Sequence, residues 1–210
     1  MKKSVAREYF ESLVVAVILA LFVRTFVFQA FKIPTGSMEN NLLVGDHLLV
    51  NKMAFAPTMT GLERVLLPQK PVGRGDVIVF KYPEQPDRDF IKRVIGLPGD
   101  RLELRRKRIY INDVLLEEPY VRYLEPPSTD GIVREGDLRE EYGPVTVPED
   151  QYFMMGDNRD NSEDSRYWGF LPASYVKGEA LIIYFSVGDA SAGSNTLGGI
   201  RWGRLANFVR

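Results

Sequence analysis

The chain contains no cysteine and only one histidine, His47, among its 210 residues. Without cysteine there are no disulfides, thiol nucleophiles or thiolate metal ligands, and the redox compartment stays undetermined. With one histidine, a zinc centre would have to rest almost wholly on carboxylates, which is not how such sites are usually built. No metal or other cofactor is expected. A serine–histidine–aspartate triad is open only if His47 is its base. The context Gly45-Asp46-His47-Leu48-Leu49 reads instead as a turn entering a strand, with the imidazole hydrogen-bonded at the strand start. A charge excess is also missing: 27 basic residues face 28 acidic ones, for a formal net charge of −1. No global field therefore recommends nucleic acid as a partner. With 45% hydrophobic and 11% aromatic residues, the chain can bury the core of one domain, with or without a subdomain.

Long apolar runs are scarce, and the one present is N-terminal. After Lys2, Lys3 and Arg7 it extends from Leu13 to Val23, is interrupted by Arg24, and resumes from Thr25 to Phe31. A cleaved export signal also begins this way but needs small residues at its cut, where Phe28-Gln29-Ala30 supplies a ring. An anchor is the better reading. As helix, the 19 residues from Leu13 to Phe31 span roughly 28 Å, close to a hydrocarbon core of about 30 Å. Arg24 lies past the middle and can snorkel outward. Alternatively the span ends near Val23, with Phe26, Phe28 and Phe31 in the outer interface. The basic cluster precedes the span, so the N-terminus is expected in the cytoplasm of a single-pass protein. The rest of the chain then faces the outer, periplasmic side of the plasma (inner) membrane.

Beyond Lys32, short runs rich in β-branched and aromatic residues alternate with Gly, Pro and Asp. His47 to Asn51, Asp76 to Tyr82, Phe90 to Ile95, Arg108 to Asn112, Gln151 to Met155 and Ala180 to Phe185 read as strands. Turns are expected at Gly45-Asp46, Gly75-Asp76, Pro83 to Pro86, Gly96 to Asp100, Asn112-Asp113 and Gly136-Asp137. The expected organisation is an N-terminal segment 1–9, an anchor 10–31, a mainly-β domain 32–187 and a small-residue linker with C-terminal segment 188–210. Within the β domain, residues 117–147, rich in Glu, Pro and Gly, read as an inserted and more exposed lobe. Arg201-Trp202 and Arg204 suit either an interfacial contact or docking on the domain itself.

A hydrolase with this composition needs Ser or Thr activated by Lys, or paired carboxylates. A lysine base must be neutral, which requires its pKa to fall from about 10.4 toward 7 to 8. Pro34-Thr35-Gly36-Ser37-Met38 offers a sharp turn for a serine. Lys92 lies in Phe90-Ile91-Lys92-Arg93-Val94-Ile95, where alternation puts Phe90, Lys92 and Val94 on one strand face and disfavours an ammonium. The bland alternatives are a solvated loop serine and a lysine on a wet strand face. Gly156-Asp157-Asn158-Arg159-Asp160-Asn161-Ser162-Glu163-Asp164-Ser165-Arg166 is too densely polar to lack partners. Its spacing fails the EF-hand calcium pattern, which leaves a solvated turn as the alternative. Ser174-x-x-Lys177 matches a β-lactamase pattern without its companion motifs and reads as chance.

Four blocks carry a resemblance: PTGSM at 34–38, GDHLLVNK at 45–52, GDVIVFKYPEQPDRDFIKRVIGLPGD at 75–100 and GDNRDNSEDSRYWGFLP at 156–172. In this order they resemble the bacterial type I signal peptidases, the Ser-Lys dyad endopeptidases. The resemblance implies a signal-peptidase/LexA-like β catalytic domain with one N-terminal transmembrane helix. It implies Ser37 as nucleophile, Lys92 as general base and later acid, and Ser162 orienting the lysine amine. The Ser37 N–H and the Thr35 hydroxyl would form the oxyanion hole, supported by an Asp164–Arg166 ion pair. Shallow apolar pockets for small side chains are implied at Phe31, Ile33, Met38, Leu42, Phe90 and Ile91, cutting after an Ala-X-Ala-like site. Signal peptides of exported preproteins and the lipid bilayer would be the partners. The chain departs from the family in carrying Thr35 where Ser is common, no proline after the nucleophile block, and one span where some members carry two.

Two other classes stand beside this reading. A soluble Ser-Lys self-cleaving repressor would lack the anchor and carry a DNA-binding region. A non-enzymatic, membrane-anchored β binding domain would hold Ser37 and Lys92 far apart.

Overall fold

A computed structural model describes residues 5–55, 70–124, 137–188 and 199–209. The first helix, α1, runs over Val5–Phe22 and continues as a π-helical turn over Val23–Val27. Leu13, Val15, Ile18, Leu19, Leu21 and Phe22 are all more than half exposed. A helix that is apolar without a core to turn toward suits lipid rather than water. Arg7–Val27 is long and apolar enough to cross a membrane, and none of it is buried against protein. Lys2 and Lys3, on which the expected orientation leans, lie outside the described residues.

The far end of the expected anchor 10–31 is corrected. Phe28 is extended (φ −126°, ψ 145°) and opens strand β1, Phe28–Lys32. The reason is partnership: β1 pairs antiparallel with β2, Asp46–Asn51, from Phe28↔Asn51 to Lys32↔His47. The ladder satisfies backbone groups that a longer helix would have satisfied internally. The sheet therefore begins at Phe28 rather than after residue 31, directly on the helix end.

The remaining strands are β3 Val77–Tyr82, β4 Gln85–Gly96, β5 Arg101–Arg105, β6 Arg108–Ile111, β7 Val114–Leu115, β8 Glu141–Thr146, β9 Gln151–Met155, β10 Leu171–Pro172, β11 Val176–Ser186 and β12 Asn207–Phe208. One sheet is ordered β1-β2-β11-β3-β4-β9-β10 with β12 beside β11, and a second is ordered β7-β6-β5-β8. The chain is mainly β, and all six strands read from the sequence form. The turn expected over Pro83 to Pro86 is only Pro83-Glu84, because Gln85 and Pro86 already belong to β4. Strand β5 escaped the sequence reading because three of its five residues are charged, yet Leu102 and Leu104 alternate inward at 0% and 2% exposure.

Apolar residues pack in three clusters. Leu48, Val50, Val79, Ile91 and Ile183 of the main sheet pack with Ile33, Met38 and Leu42. Ile78, Phe80, Val94, Met154 and Leu171 form a second cluster, with Phe90 and Trp168 against it. Ile95, Leu102, Leu104, Ile109 and Phe153 join the two sheets. Neighbours along β3 alternate between the first two clusters, so this sheet is buried on both faces. Among the described residues of 117–147 only Val147 is buried, and 125–136 lie outside the description, as do 189–198 of the expected linker.

Beyond the linker, the two readings of the C-terminal segment divide by residue. Trp202 is 59% exposed. Arg204 forks onto Asp46, with Nη2 2.6 Å from Oδ2, and Arg201 donates from Nε to Ser186 Oγ at 2.8 Å. Ser186 Oγ donates to Asp46 Oδ1 at 2.6 Å, and the Leu43 N–H donates to Oδ2 at 2.8 Å. Asp46 is fully buried, so removing it strands cationic partners. Asp46→Ala is expected to lower the free energy of unfolding by about 3 kcal/mol, measured by chemical denaturation.

Candidate functional site

After β1 the chain stays extended through Thr35 (φ −132°, ψ 157°) and then tightens into a 3₁₀ turn over Gly36–Met38. Met38 and Leu42, 0% and 1% exposed, pin this turn into the core. The turn closes from the Glu39 N–H to the Gly36 carbonyl, and the Ser37 N–H, in its first turn, has no partner within it.

Strand β4 brings Lys92 to the same point, with β3 fixing its backbone at Ile78↔Lys92. Lys92 Nζ donates to Ser37 Oγ at 2.7 Å, and the two residues are 3% and 7% exposed. Phe90 and Val94, on its face of the strand, both pack with the Ile78–Phe80 cluster. The Phe90 ring centre lies 5.3 Å from the nitrogen and is itself stacked on Tyr82 at 4.2 Å.

Burial lowers the Lys92 pKa from 10.5 to about 8. Asp164, Glu163 and Asp157 pull it back upward without cancelling the effect, and Arg166 adds to the lowering. The upward pull is limited because two of these carboxylates already have cations. Asp164 is gripped by Arg166 through Nε–Oδ1 at 2.8 Å and Nη2–Oδ2 at 2.9 Å. Asp157 is gripped by Arg93 through Nε–Oδ1 at 2.8 Å and Nη2–Oδ2 at 2.6 Å.

The polar run 156–166 finds its partners inside the protein. The Asn158 N–H donates to the Ser37 carbonyl at 3.1 Å, and its amide donates to the Gly36 carbonyl at 3.0 Å, tying the loop to the serine turn. A methyl group on Gly156 would sit 2.3 Å from Ser162 Oγ and 2.4 Å from the Ser37 carbonyl oxygen, so this approach requires bare backbone. Asp164 also caps helix α2, Ser165–Trp168, by accepting from the Arg166 N–H. Further out, Lys107 donates to Asp160 at 3.0 Å, and Arg159 forks onto Glu118. Among the described residues no cluster of three or more acidic or histidine side chains could hold a metal ion.

Beside the pair lies a cavity of about 650 Å³. Ser37, Thr35, Ser162, Phe31, Phe90 and Ile91 line it, and Pro34, Arg88, Asp89, Glu163 and Tyr167 add to the wall. Phe31 comes from β1, at one end of the strand order, and Phe90 from β4, four strands along. The sheet must therefore curl for both to face one space. Of the expected pocket residues, Ile33, Met38 and Leu42 do not line this cavity and instead pack in the core with Leu48 and Ile91. Ser162 Oγ is buried without a hydrogen bond, so the expected contact to the lysine is not made. His47 lies on β2 with Nδ1 3.2 Å from the Gly45 carbonyl, away from the cavity lining. Lys177 pairs with Asp89 at 2.8 Å rather than with a catalytic serine.

Sequence reasoning did not single out Arg93 and Asp157. The available signal was a second charge next to Lys92 in an apolar strand, which by alternation had to be buried on the opposite face. Glu163 was also missed. It accepts from the Tyr82 hydroxyl at 2.9 Å, and only the fold brings those two together.

A family model described as "Signal peptidase, peptidase S26" matches residues 6–185. Signal peptidase I of Pseudomonas aeruginosa is 38% identical over 216 residues, covering 90% of this chain and 75% of that protein. A probable signal peptidase I-2 of Synechocystis sp. is 38% identical over 185 residues, covering 86% of this chain and 73% of the relative. A crystal structure of a signal peptidase I from Enterococcus faecalis is 34% identical and covers 52% of this chain and 97% of that one, with a TM-score of 0.42.

Lowering the Lys92 pKa from 10.5 to about 8 disfavours the folded state by about 3 kcal/mol wherever the unfolded lysine is charged and the folded one must be too. The penalty is full below about pH 8 and fades as pH rises from there to 10.5, where the unfolded lysine also loses its proton. Lys92→Met is therefore expected to be more stable than the parent at pH 7. The gain should shrink toward pH 10.5, as read from urea midpoints across the range.

Proposed function

As a member of the signal peptidase family this chain is a serine endopeptidase that removes signal peptides, and we propose that Ser37 is its nucleophile and Lys92 its general base. The supporting observation is the buried 2.7 Å contact between Ser37 Oγ and Lys92 Nζ. A non-enzymatic anchored β domain has no use for that contact.

With the amine neutral, the Ser37 hydroxyl donates to the nitrogen lone pair. Nζ takes the proton as Oγ attacks the scissile carbonyl carbon, and the oxyanion accepts from the Ser37 N–H and the Thr35 hydroxyl. Collapse breaks the C–N bond. The Lys92 ammonium gives its proton to the leaving amine, and the acyl group stays on Ser37 as an ester. Water then attacks the ester, Lys92 takes its proton, and the serine leaves with that proton restored. Ser162 has a buried hydroxyl without another partner and can orient the amine during the cycle. The Asp164–Arg166 pair holds the loop on which it sits.

Phe31, Phe90 and Ile91 offer apolar surface for the small side chains of an Ala-X-Ala-like site. Strand β4 pairs with β9 only from Arg93 onward, so its stretch beside the cavity has an edge for an extended substrate to join as an added strand. Helix α1 would cross the plasma (inner) membrane once, with the N-terminus in the cytoplasm and the β domain outside. Ser37 follows Val27 by ten residues, which spans at most about 35 Å even fully extended. The serine thus works near the lipid surface, where the signal segment of an exported preprotein ends.

Ser37→Ala and Lys92→Met are each expected to cut preprotein processing about a million-fold while the fold persists. For the parent, kcat/KM should rise about tenfold per pH unit and level off above about pH 8, because only the neutral amine is the base. Processing by either variant at the parent's rate, or a rate independent of pH between 6 and 9, would overturn the assignment.

A further inference from the structure

Lys52 stands where the apolar helix meets the β domain. The helix ends in the π-helical turn Val23–Val27, whose last carbonyls point beyond the helix without partners inside it. Lys52 Nζ donates to the Thr25 carbonyl at 2.6 Å, and the Lys52 backbone N–H donates to the Val27 carbonyl at 2.9 Å. A cation at a helix C-terminus also meets the negative end of the helix dipole. Lys52 directly follows β2, an interior strand held by β1 on one side and β11 on the other. The helix end is thus tied to the sheet twice, covalently through β1 and by hydrogen bonds through Lys52. No linker residues intervene between Val27 and Phe28.

A flexible leash would let a catalytic domain sample many heights and tilts above a bilayer and would dilute the serine over that volume. A double tie removes this freedom. We infer that Lys52 is a positioning residue that sets the tilt of the β domain on its membrane helix, so that Ser37 is presented to substrates held in the same bilayer. Its ammonium touches neither Ser37 nor the cavity lining, so it acts on where the site stands and not on the chemistry within it. The inference rests on the signal-peptide-cleaving reading given above.

The test uses the full chain reconstituted in phospholipid vesicles with two substrates. One is a preprotein whose signal segment is embedded in the same vesicles, and the other is a short soluble peptide spanning its cleavage site. Lys52→Met is expected to slow cleavage of the embedded preprotein about 10- to 100-fold and to leave peptide cleavage within about twofold. Lys52→Arg, which restores a donor cation, should recover most of the loss. Equal slowing on both substrates would mean that Lys52 only supports the domain, and no slowing on either would mean that the tie is idle. Both results overturn the inference. A parent enzyme that cleaves neither substrate would instead overturn the functional reading on which it rests.

Discussion

Everything in this structure leans on one contact, a lysine amine held out of water against a serine hydroxyl at 2.7 Å. An ammonium in that position is poorly solvated, which holds the Lys92 pKa down at about 8. The curl of the main sheet makes the contact possible by bringing β4 against the turn that follows β1. Neither residue has unusual chemistry in isolation. Burial between Phe90, the Ile78–Phe80 cluster and the serine turn gives the lysine its character.

Such burial would fail if the nearby carboxylates were free to restore the charge. Asp157 and Asp164 are both within electrostatic reach of Lys92, and each is occupied by an arginine. Arg93 and Lys92 are consecutive on β4, and their alternate directions let one strand serve two ends. One side chain places its amine against Ser37, and the other neutralises Asp157 behind it. The 156–166 loop is therefore less a ligand site than a clamp. Its charges are spent inside the protein, and its backbone approaches the serine turn across Gly156.

Much of this was legible in the residues. Alternation around Lys92 identified its face, and the turn read in Pro34 to Met38 forms over Gly36–Met38. The density of polar groups from Gly156 to Arg166 called for partners, and they exist. What could not be read was distance across the chain. Ile33, Met38 and Leu42 were assigned to the substrate pocket by resemblance alone, yet they pack in the core, because sequence does not say which side of a turn faces it. The end of the N-terminal apolar helix was read at Phe31 or, alternatively, near Val23, and the structure ends it at Val27. Phe28, Ala30 and Phe31 carry the apolar character on past the helix with Gln29 among them, and only pairing with β2 makes them a strand. The charged alternation of β5 hid a strand whose inward positions are just two leucines.

The buried Asp46 has a kinetic consequence. Its carboxylate, near the start of β2, is neutralised by Arg204 from 158 residues further along the chain. Until that arginine has left the ribosome and found its place, closing the β1–β2 end of the main sheet would seal in an unneutralised negative charge. Collapse of the domain during synthesis is therefore disfavoured until most of the polypeptide is available. An incomplete chain would keep this end of the sheet open until then.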